Sequence, residues 1–417
     1  MSTDHYAVGL RVLDIEHGFR AIAPEPIVEG ELANTLLLGK ALNLGLHLRG
    51  LNVIQGNEIK GLKYAAAGLG IKSAELTTIL RELQEIEWVR LKETGTKIDR
   101  VEIVVPTLHD VFDVIGRRWQ DIGPTEIEQA AVAALSEAVV HPFNSRVLRK
   151  ELGMDPQLAR QVLDIGDAGT FLKEHRLADG QQIVYSPVFG DANPEKAYEI
   201  VEKYGDATIK QLIETVRATQ GIPEENVSNK GLVREAIVSG LILAPGVKDK
   251  RFVFTPHRGL EQKESVILDK ARAIASCVRY GEHFAEITKI AHPKAIIDAL
   301  LTKKTLKPHS EHLEQYGLLV KKGIGRVEQV GSRWQFSIHD TEDNMKALKV
   351  ARDLLDTGDA VHQQMDDAAR ALILNPSATY STPVTERVKM SRNVKIKDVD
   401  AQTAKAISAV IRGAYDG

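Results

Sequence analysis

A pattern of helical segments followed by two strands recurs four times along the chain, and it limits the fold more than any other feature. Each copy closes on an apolar strand with a Pro or a Thr/Ser step, after which a new helical pattern begins. The closing strands lie in residues 101–110 (VEIVVPTLHD), 182–191 (QIVYSPVFGD), 252–259 (FVFTPHRG) and 334–341 (WQFSIHDT). A unit that returns about every 70–80 residues is typical of a row of small, similar modules rather than of one enzyme fold.

The first copy shows the pattern in full. Apolar residues recur at helical spacing from Glu31 to Arg49, and two further helices are predicted at residues 57–69 and 73–85. Thr94-Gly95 indicates a hairpin turn between two strands, and Asp179-Gly180 indicates another in the second copy. The four hairpins are predicted near residues 88–105, 176–186, 241–255 and 319–338.

Three helices followed by a two-stranded wing resemble the winged helix-turn-helix superfamily, which includes many bacterial repressors. Residues 312–322 (HLEQYGLLVKK) are similar to the turn in which a recognition helix ends at Gly and leads into the first wing strand. Residues 79–91 (ILRELQEIEWVRL) are similar too, with Ile86-Glu87 where a Gly is expected. Tandem arrays of this module occur in plasmid replication initiators, and an array in the selenocysteine-specific elongation factor holds RNA. The resemblance implies a mainly α fold with small β-wings, of the α+β class, built from tandem winged-helix modules.

The repeats and the segments that flank them predict six parts of the chain. Residues 1–30 are expected to form a strand and an N-terminal arm, because Pro24 and Pro26 keep the backbone extended. Residues 344–417 are expected to contain C-terminal helices and a basic tail. The basic residues of that tail are Arg387, Lys389, Arg392, Lys395 and Lys397. The four winged helices are assigned to residues 31–110, 111–191, 192–258 and 259–343.

The composition is that of an ordinary globular protein. The formal charge of −3 means that any basic surface is local and balanced by acidic residues elsewhere. Cys277 is the only cysteine, which excludes an internal disulfide, and its apolar neighbours predict a buried position in a helix. The sequence contains no apolar run of membrane-spanning length and no secretory signal, so we expect a cytoplasmic protein that does not enter a membrane.

Enzyme signatures are missing from the sequence. It contains no phosphate-binding loop, dinucleotide fingerprint, zinc-protease motif or nucleophile elbow. His309 and His312 have the spacing of two metal ligands on a helix, but no third ligand accompanies them. We therefore expect a non-enzymatic protein with no catalytic residue, no cofactor and no metal site.

The fourth copy carries the strongest local excess of positive charge. Residues 303–333 contain seven Lys or Arg against three Glu. In a winged helix the third helix enters the major groove and the wing contacts phosphate. His309, Ser310 and His312 are predicted to lie at the start of that helix, where polar side chains can meet base edges. A solvated helical surface explains the same lysines without any ligand. The candidate nucleic-acid-binding residues are Lys303, Lys304, Lys307, His309, Ser310, His312, Lys321, Lys322, Arg326 and Arg333.

The sequence supports two functions of different classes. The first is a DNA-binding protein, acting as a regulator or as the DNA-handling subunit of a replication, segregation or defence complex, with duplex DNA as its partner. The second is a protein-interaction scaffold whose winged helices bind partner subunits or a second copy of the chain. The basic fourth copy favours DNA, whereas the near-neutral charge favours the scaffold. In the second copy Arg146, Arg149 and Lys150 lie on the middle helix, either against a phosphate backbone or as a solvated surface.

Overall fold

Helices make up most of the structure, and small antiparallel sheets lie between them. The computed structural model describes residues 4–20, 30–49, 51–95, 97–106, 108–187, 194–256 and 262–358. These residues form two compact units. The first contains the described residues up to Gln129 together with Ala168–Thr170, and the second contains Ala130–Asp167 and the described residues from Phe171 onward. The expected α+β class with a mainly α content is confirmed.

The first unit opens with a helix that is buried on almost all sides. This helix, α1, spans His5–Arg20, so the strand and arm predicted within residues 1–30 are wrong for this part of the chain. Glycines allow its close packing, because a Cβ atom at Gly9 would overlap the carbonyl oxygen of Phe112 on a later helix, α5 (Leu108–Asp121). Arg11 and Asp14 form an ion pair with an N–O distance of 3.0 Å inside the helix packing.

The rest of the first unit holds the first copy of the repeat. Its third helix, α4, buries the four apolar residues that helical spacing places on one side, as expected: Leu76, Ile79, Leu80 and Leu83. The last strand of its sheet lies between the other two. The elements are α2 (Ala33–Leu48), β1 (Val53–Gln55), α3 (Glu58–Gly68), α4 (Leu76–Glu85), β2 (Val89–Thr94) and β3 (Lys97–Ile103).

The helix that begins the second copy, α6 (Glu126–Ala138), starts with a reciprocal cap. The Glu128 amide donates to the Thr125 hydroxyl over 3.2 Å, and the Thr125 amide donates to the Glu128 carboxylate over 2.8 Å. The same fully buried carboxylate accepts from the Thr35 amide on α2 over 2.6 Å. Glu128 therefore links the first turn of α6 to α2.

The second and third copies follow the order of elements of the first, with an additional helix at the start of the third. In both three-stranded sheets the last strand again lies in the middle. The second copy continues with β4 (Phe143–Asn144), α7 (Arg146–Lys150), α8 (Pro156–Ala168), β5 (Lys173–Arg176) and β6 (Gln182–Tyr185). The third has α9 (Pro194–Tyr204), α10 (Asp206–Ala218), β7 (Ile222–Pro223), a 3-10 turn (Glu224–Asn226), α11 (Lys230–Ser239), β8 (Gly246–Val247) and β9 (Lys250–Val253).

The fourth copy surrounds a core to which Cys277, Tyr316 and Phe336 contribute fully buried side chains. Its hairpin pairs with an extended segment through bridges from Thr305 to Ser337 and from His309 to Trp334. The extended segment therefore occupies the position that β1, β4 and β7 hold in the other sheets. The elements are α12 (Gln262–His283), α13 (Pro293–Lys303), α14 (His312–Gln315), α15 (Gly317–Lys321), β10 (Gly325–Val330), β11 (Arg333–Ile338) and α16 (Glu342–Thr357).

The four predicted hairpins are confirmed, with one change of boundary. Strands β2–β3, β5–β6, β8–β9 and β10–β11 pair as antiparallel hairpins. The fourth hairpin begins only at Gly325, because residues 317–321 continue as helix α15 instead of entering a strand at Gly317. The predicted helix of the C-terminal part is present as α16, whereas the basic tail at residues 386–397 lies outside the described residues.

Candidate nucleic-acid interface

Four of the candidate cations in the fourth copy are exposed and have no ion-pair partner among the described residues. Lys303 ends α13, Lys307 lies in the extended segment, Lys321 ends α15, and Arg333 begins β11 beside the hairpin turn. A cation without a carboxylate partner gives up no ion pair when it contacts a phosphate. These four residues, which we call the free cations, are therefore the ones best suited to bind an anionic ligand.

Three other candidates are already engaged with carboxylates. Lys304 contacts Asp340 over an N–O distance of 3.0 Å, and Lys322 contacts Asp269 over 2.7 Å. Arg326 contacts Glu328 over 3.1 Å on the exposed side of β10. Surface pairs of this kind are worth about 0–1 kcal/mol, so a phosphate can replace them at a small cost.

The register of the hairpin places polar groups on one side of the sheet. Phe336 and Ile338 are buried, so the alternate residues Arg333, Gln335 and Ser337 face away from the core. Ser337 lies opposite Arg326 and donates to the Thr305 hydroxyl over 3.1 Å. Sequence reasoning missed these hydroxyl and amide groups, since only the pairing of distant strands brings them beside the cations.

His309 and Ser310 do not lie on a recognition helix, contrary to the sequence-based prediction. The His309 amide donates to the Trp334 carbonyl over 2.8 Å, and the Trp334 amide donates back over 3.0 Å. His309 is therefore the last paired residue of the extended segment, and the exposed Ser310 lies in the turn before α14. Neither side chain is presented by a helix to a groove.

His312 begins α14 as expected, but it is buried, with 8% of its surface exposed. Its ring lies edge-on to Tyr316 at a centroid distance of 5.0 Å and tilted against His309 at 5.4 Å. Burial, with a contribution from the nearby His309, lowers the pKa of His312 from 6.5 to about 4. The neutral ring is therefore part of the packing and does not face a base edge.

The helix pair α14–α15 exposes a different set of residues from the one expected. Leu313 and Val320 are 46% and 41% exposed, and the exposed Glu314 forms an ion pair with Lys248. A recognition helix for duplex DNA usually presents polar or basic side chains. The exposed residues of this helix pair are instead two apolar residues, Leu313 and Val320, with one acid and one base, Glu314 and Lys321. This mixture also suits a protein partner.

No protein-family model matches the chain, and no curated protein matches it significantly. Among the described residues, no helix is long and apolar enough to cross a membrane. The same part of the chain holds no group of three or more His, Cys, Asp or Glu side chains arranged to bind a metal ion.

Proposed function

We propose that the chain is a cytoplasmic, non-enzymatic protein of four tandem winged-helix modules that binds duplex DNA through the fourth. The modular part of the proposal is supported by the recurrent order of helix, short strand, helical segment, helix and hairpin. It is also supported by the strand order, since the last strand lies centrally in three sheets and the extended segment repeats that arrangement in the fourth.

The observation that carries DNA binding is the set of free cations at Lys303, Lys307, Lys321 and Arg333. Phosphate contacts supply most of the non-specific affinity for duplex DNA, and each releases counterions. Because His312 is buried and neither His309 nor Ser310 lies on a recognition helix, we propose contacts to the DNA backbone with little sequence preference. Such a protein would act as a DNA-handling subunit rather than as a sequence-reading repressor.

The decisive experiment compares free and paired cations within one module. One variant carries Lys307→Gln, Lys321→Gln and Arg333→Gln, and its matched control carries Lys304→Gln, Lys322→Gln and Arg326→Gln. Both remove three positive charges from the same region, so the long-range field changes equally. Binding to a mixed-sequence duplex is measured over a series of salt concentrations.

We expect the free-cation variant to lower the slope of log K against log salt by about 2–3, because each lost phosphate contact removes about 0.9. The paired-cation control should lower it by less, since those residues first give up their carboxylate partners. Equal losses in the two variants would show a general effect of charge instead of contacts at these residues. Salt-independent or undetectable binding by the wild-type protein at low ionic strength would overturn the proposal.

A protein-interaction scaffold is the second candidate, and the exposed Leu313 and Val320 favour it. Apolar side chains on a helix pair suit a protein surface better than a phosphate backbone. Under this alternative, Leu313→Ser with Val320→Ser, which leaves the local charge unchanged, would abolish self-association or capture of a partner subunit. Light scattering over a concentration series detects self-association directly.

A further inference from the structure

The second copy carries another group of free cations on its short helix α7. Arg146, Arg149 and Lys150 are all exposed, and none has an ion-pair partner among the described residues. They stand at positions i, i+3 and i+4, so they share one side of a single helical turn while Leu148 points into the core. Like charges at this spacing repel one another, and an anion bound beside them relieves the repulsion.

The neighbouring acidic side chains are largely committed to local hydrogen bonds. The Asp155 carboxylate accepts from the amides of Gln157 and Leu158, each over 2.8 Å, and so begins α8. The Asp179 carboxylate accepts from the amide and the side chain of Gln181 at the hairpin turn. These hydrogen bonds also lower the pKa of Asp179, so it keeps its charge while it caps the turn. Glu151 remains as an exposed acid beside the three cations.

The hairpin of the same copy carries a fourth free cation, Arg176, which is exposed. Arg176 on β5 lies opposite Gln182 on β6, and the Gln182 carbonyl accepts from the Ser145 amide over 2.9 Å. Ser145 directly precedes Arg146, and the Asn144 side chain donates to Gln181 over 2.7 Å. The start of α7 and the hairpin are thus held together through β6. Arg176 lies in the same row of the sheet as Ser145 but on the opposite edge, about 10 Å away across two strand spacings.

We propose that Arg146, Arg149, Lys150 and Arg176 form a second surface for the phosphate backbone of duplex DNA. This inference rests on the proposed function and extends it, because the chain then contacts DNA with two of its modules instead of one. Three cations on one helical turn, with a fourth across the sheet, match a row of phosphates, whereas a single small anion would leave most of them unsatisfied. The surface contacts phosphate only, so it adds affinity and salt dependence without sequence preference.

The test combines substitutions in the two modules of the full-length chain. The α7 variant carries Arg146→Gln, Arg149→Gln and Lys150→Gln. Its matched control carries Arg160→Gln, Lys173→Gln and Lys203→Gln, whose side chains are paired with Asp164, Asp167 and Glu235 respectively. Binding to the mixed-sequence duplex is measured over the same salt series, and circular dichroism verifies that each variant is folded.

The α7 variant should lower the slope of log K against log salt by about 2–3, and the control should leave that slope nearly unchanged. Combining the α7 and fourth-module substitutions should lower the slope further. A wild-type slope retained in a folded α7 variant would refute the second surface while leaving the proposed function intact. Absence of salt-sensitive binding by the wild-type chain would refute both. Preferential loss of single-stranded RNA binding, with duplex binding unchanged, would reassign the surface to another nucleic acid and overturn the proposal.

Discussion

The contact between α1 and α5 in the first unit predicts a large effect from one added methyl group. In Gly9→Ala the new Cβ atom overlaps the Phe112 carbonyl oxygen, which belongs to the backbone and cannot rotate away. A second contact restricts the response of the helices, because a Cβ atom at Gly116 on α5 would likewise overlap the backbone of His5. The two helices must therefore separate by about 1 Å to restore an ordinary contact distance.

The size of the effect follows from two opposing terms. Forced overpacking of this kind costs about 1–3 kcal/mol. The overlap of a Cβ atom with a backbone oxygen belongs at the upper end of that range, because the backbone cannot change rotamer. The better helix propensity of Ala returns about 1 kcal/mol. We expect Gly9→Ala to lower the free energy of unfolding of the first unit by about 2 kcal/mol. Gly68→Ala on α3, where nothing lies within 4 Å of the added Cβ, should instead leave the unit unchanged or slightly more stable.

Urea unfolding followed by tryptophan fluorescence measures both variants. Trp88 and Trp119 lie in the first unit and Trp334 in the second, so a Trp334→Phe background makes the signal specific to the first unit. The two variants should differ in unfolding midpoint at an unchanged denaturant slope, because the exposed area on unfolding is the same. If the midpoint of Gly9→Ala equals or exceeds that of Gly68→Ala, the close approach of α1 and α5 is wrong.

Two further predictions concern the core of the fourth copy. Cys277 is fully buried on α12, and burial raises the pKa of its thiol far above the usual range. A thiol reagent should therefore label it only at the rate of unfolding. Fast labelling of the native protein would contradict this. The lowered pKa of His312 means that the unfolded chain binds a proton more readily than the folded one. His312 should therefore reduce stability by up to about 3 kcal/mol as the pH falls from about 6.5 to about 4, with no further loss below that range. Unfolding of wild type and His312→Phe at pH 7.5 and 4 measures this difference, and equal pH dependence in the two proteins would refute it.

Three of the four hairpins were predictable because their turns are determined by local chemistry. Gly95, Gly180 and Gly331 all have positive φ angles at the turns, a conformation that most other residues rarely adopt. Helix α4 was predictable for a similar reason, because its apolar residues lie on one side only. In both cases the signal lies within a few neighbouring residues.

Helix α1 was missed because burial removes the periodic signal. Polar residues such as Arg11, Glu16 and His17 are as buried as the apolar ones around them, so no apolar stripe marks the helix. The segment around His309 was missed because its pairing partner, Trp334, lies far along the chain. Gly317 was expected to end the recognition helix, yet its φ angle is not positive and α15 begins there.

The candidate interface was predictable only as a set of basic residues. The sequence does not reveal which cations are free, because the partners that engage them are distant, as Asp269 is from Lys322 at a separation of 53 residues. The polar side of the β10–β11 hairpin likewise depends on strand register. The residue types alone show the local excess of positive charge. The fold determines which of these cations are free to contact a ligand.

The central place of each last strand also has a consequence for synthesis of the chain. No sheet can close until β3, β6, β9 or β11 has left the ribosome, because each of these strands pairs on both of its sides. At a synthesis rate of about 5–20 residues per second, successive closing strands emerge at intervals on the order of ten seconds. The nascent protein is thus completed in steps, and each sheet has an unpaired strand edge until its last strand appears.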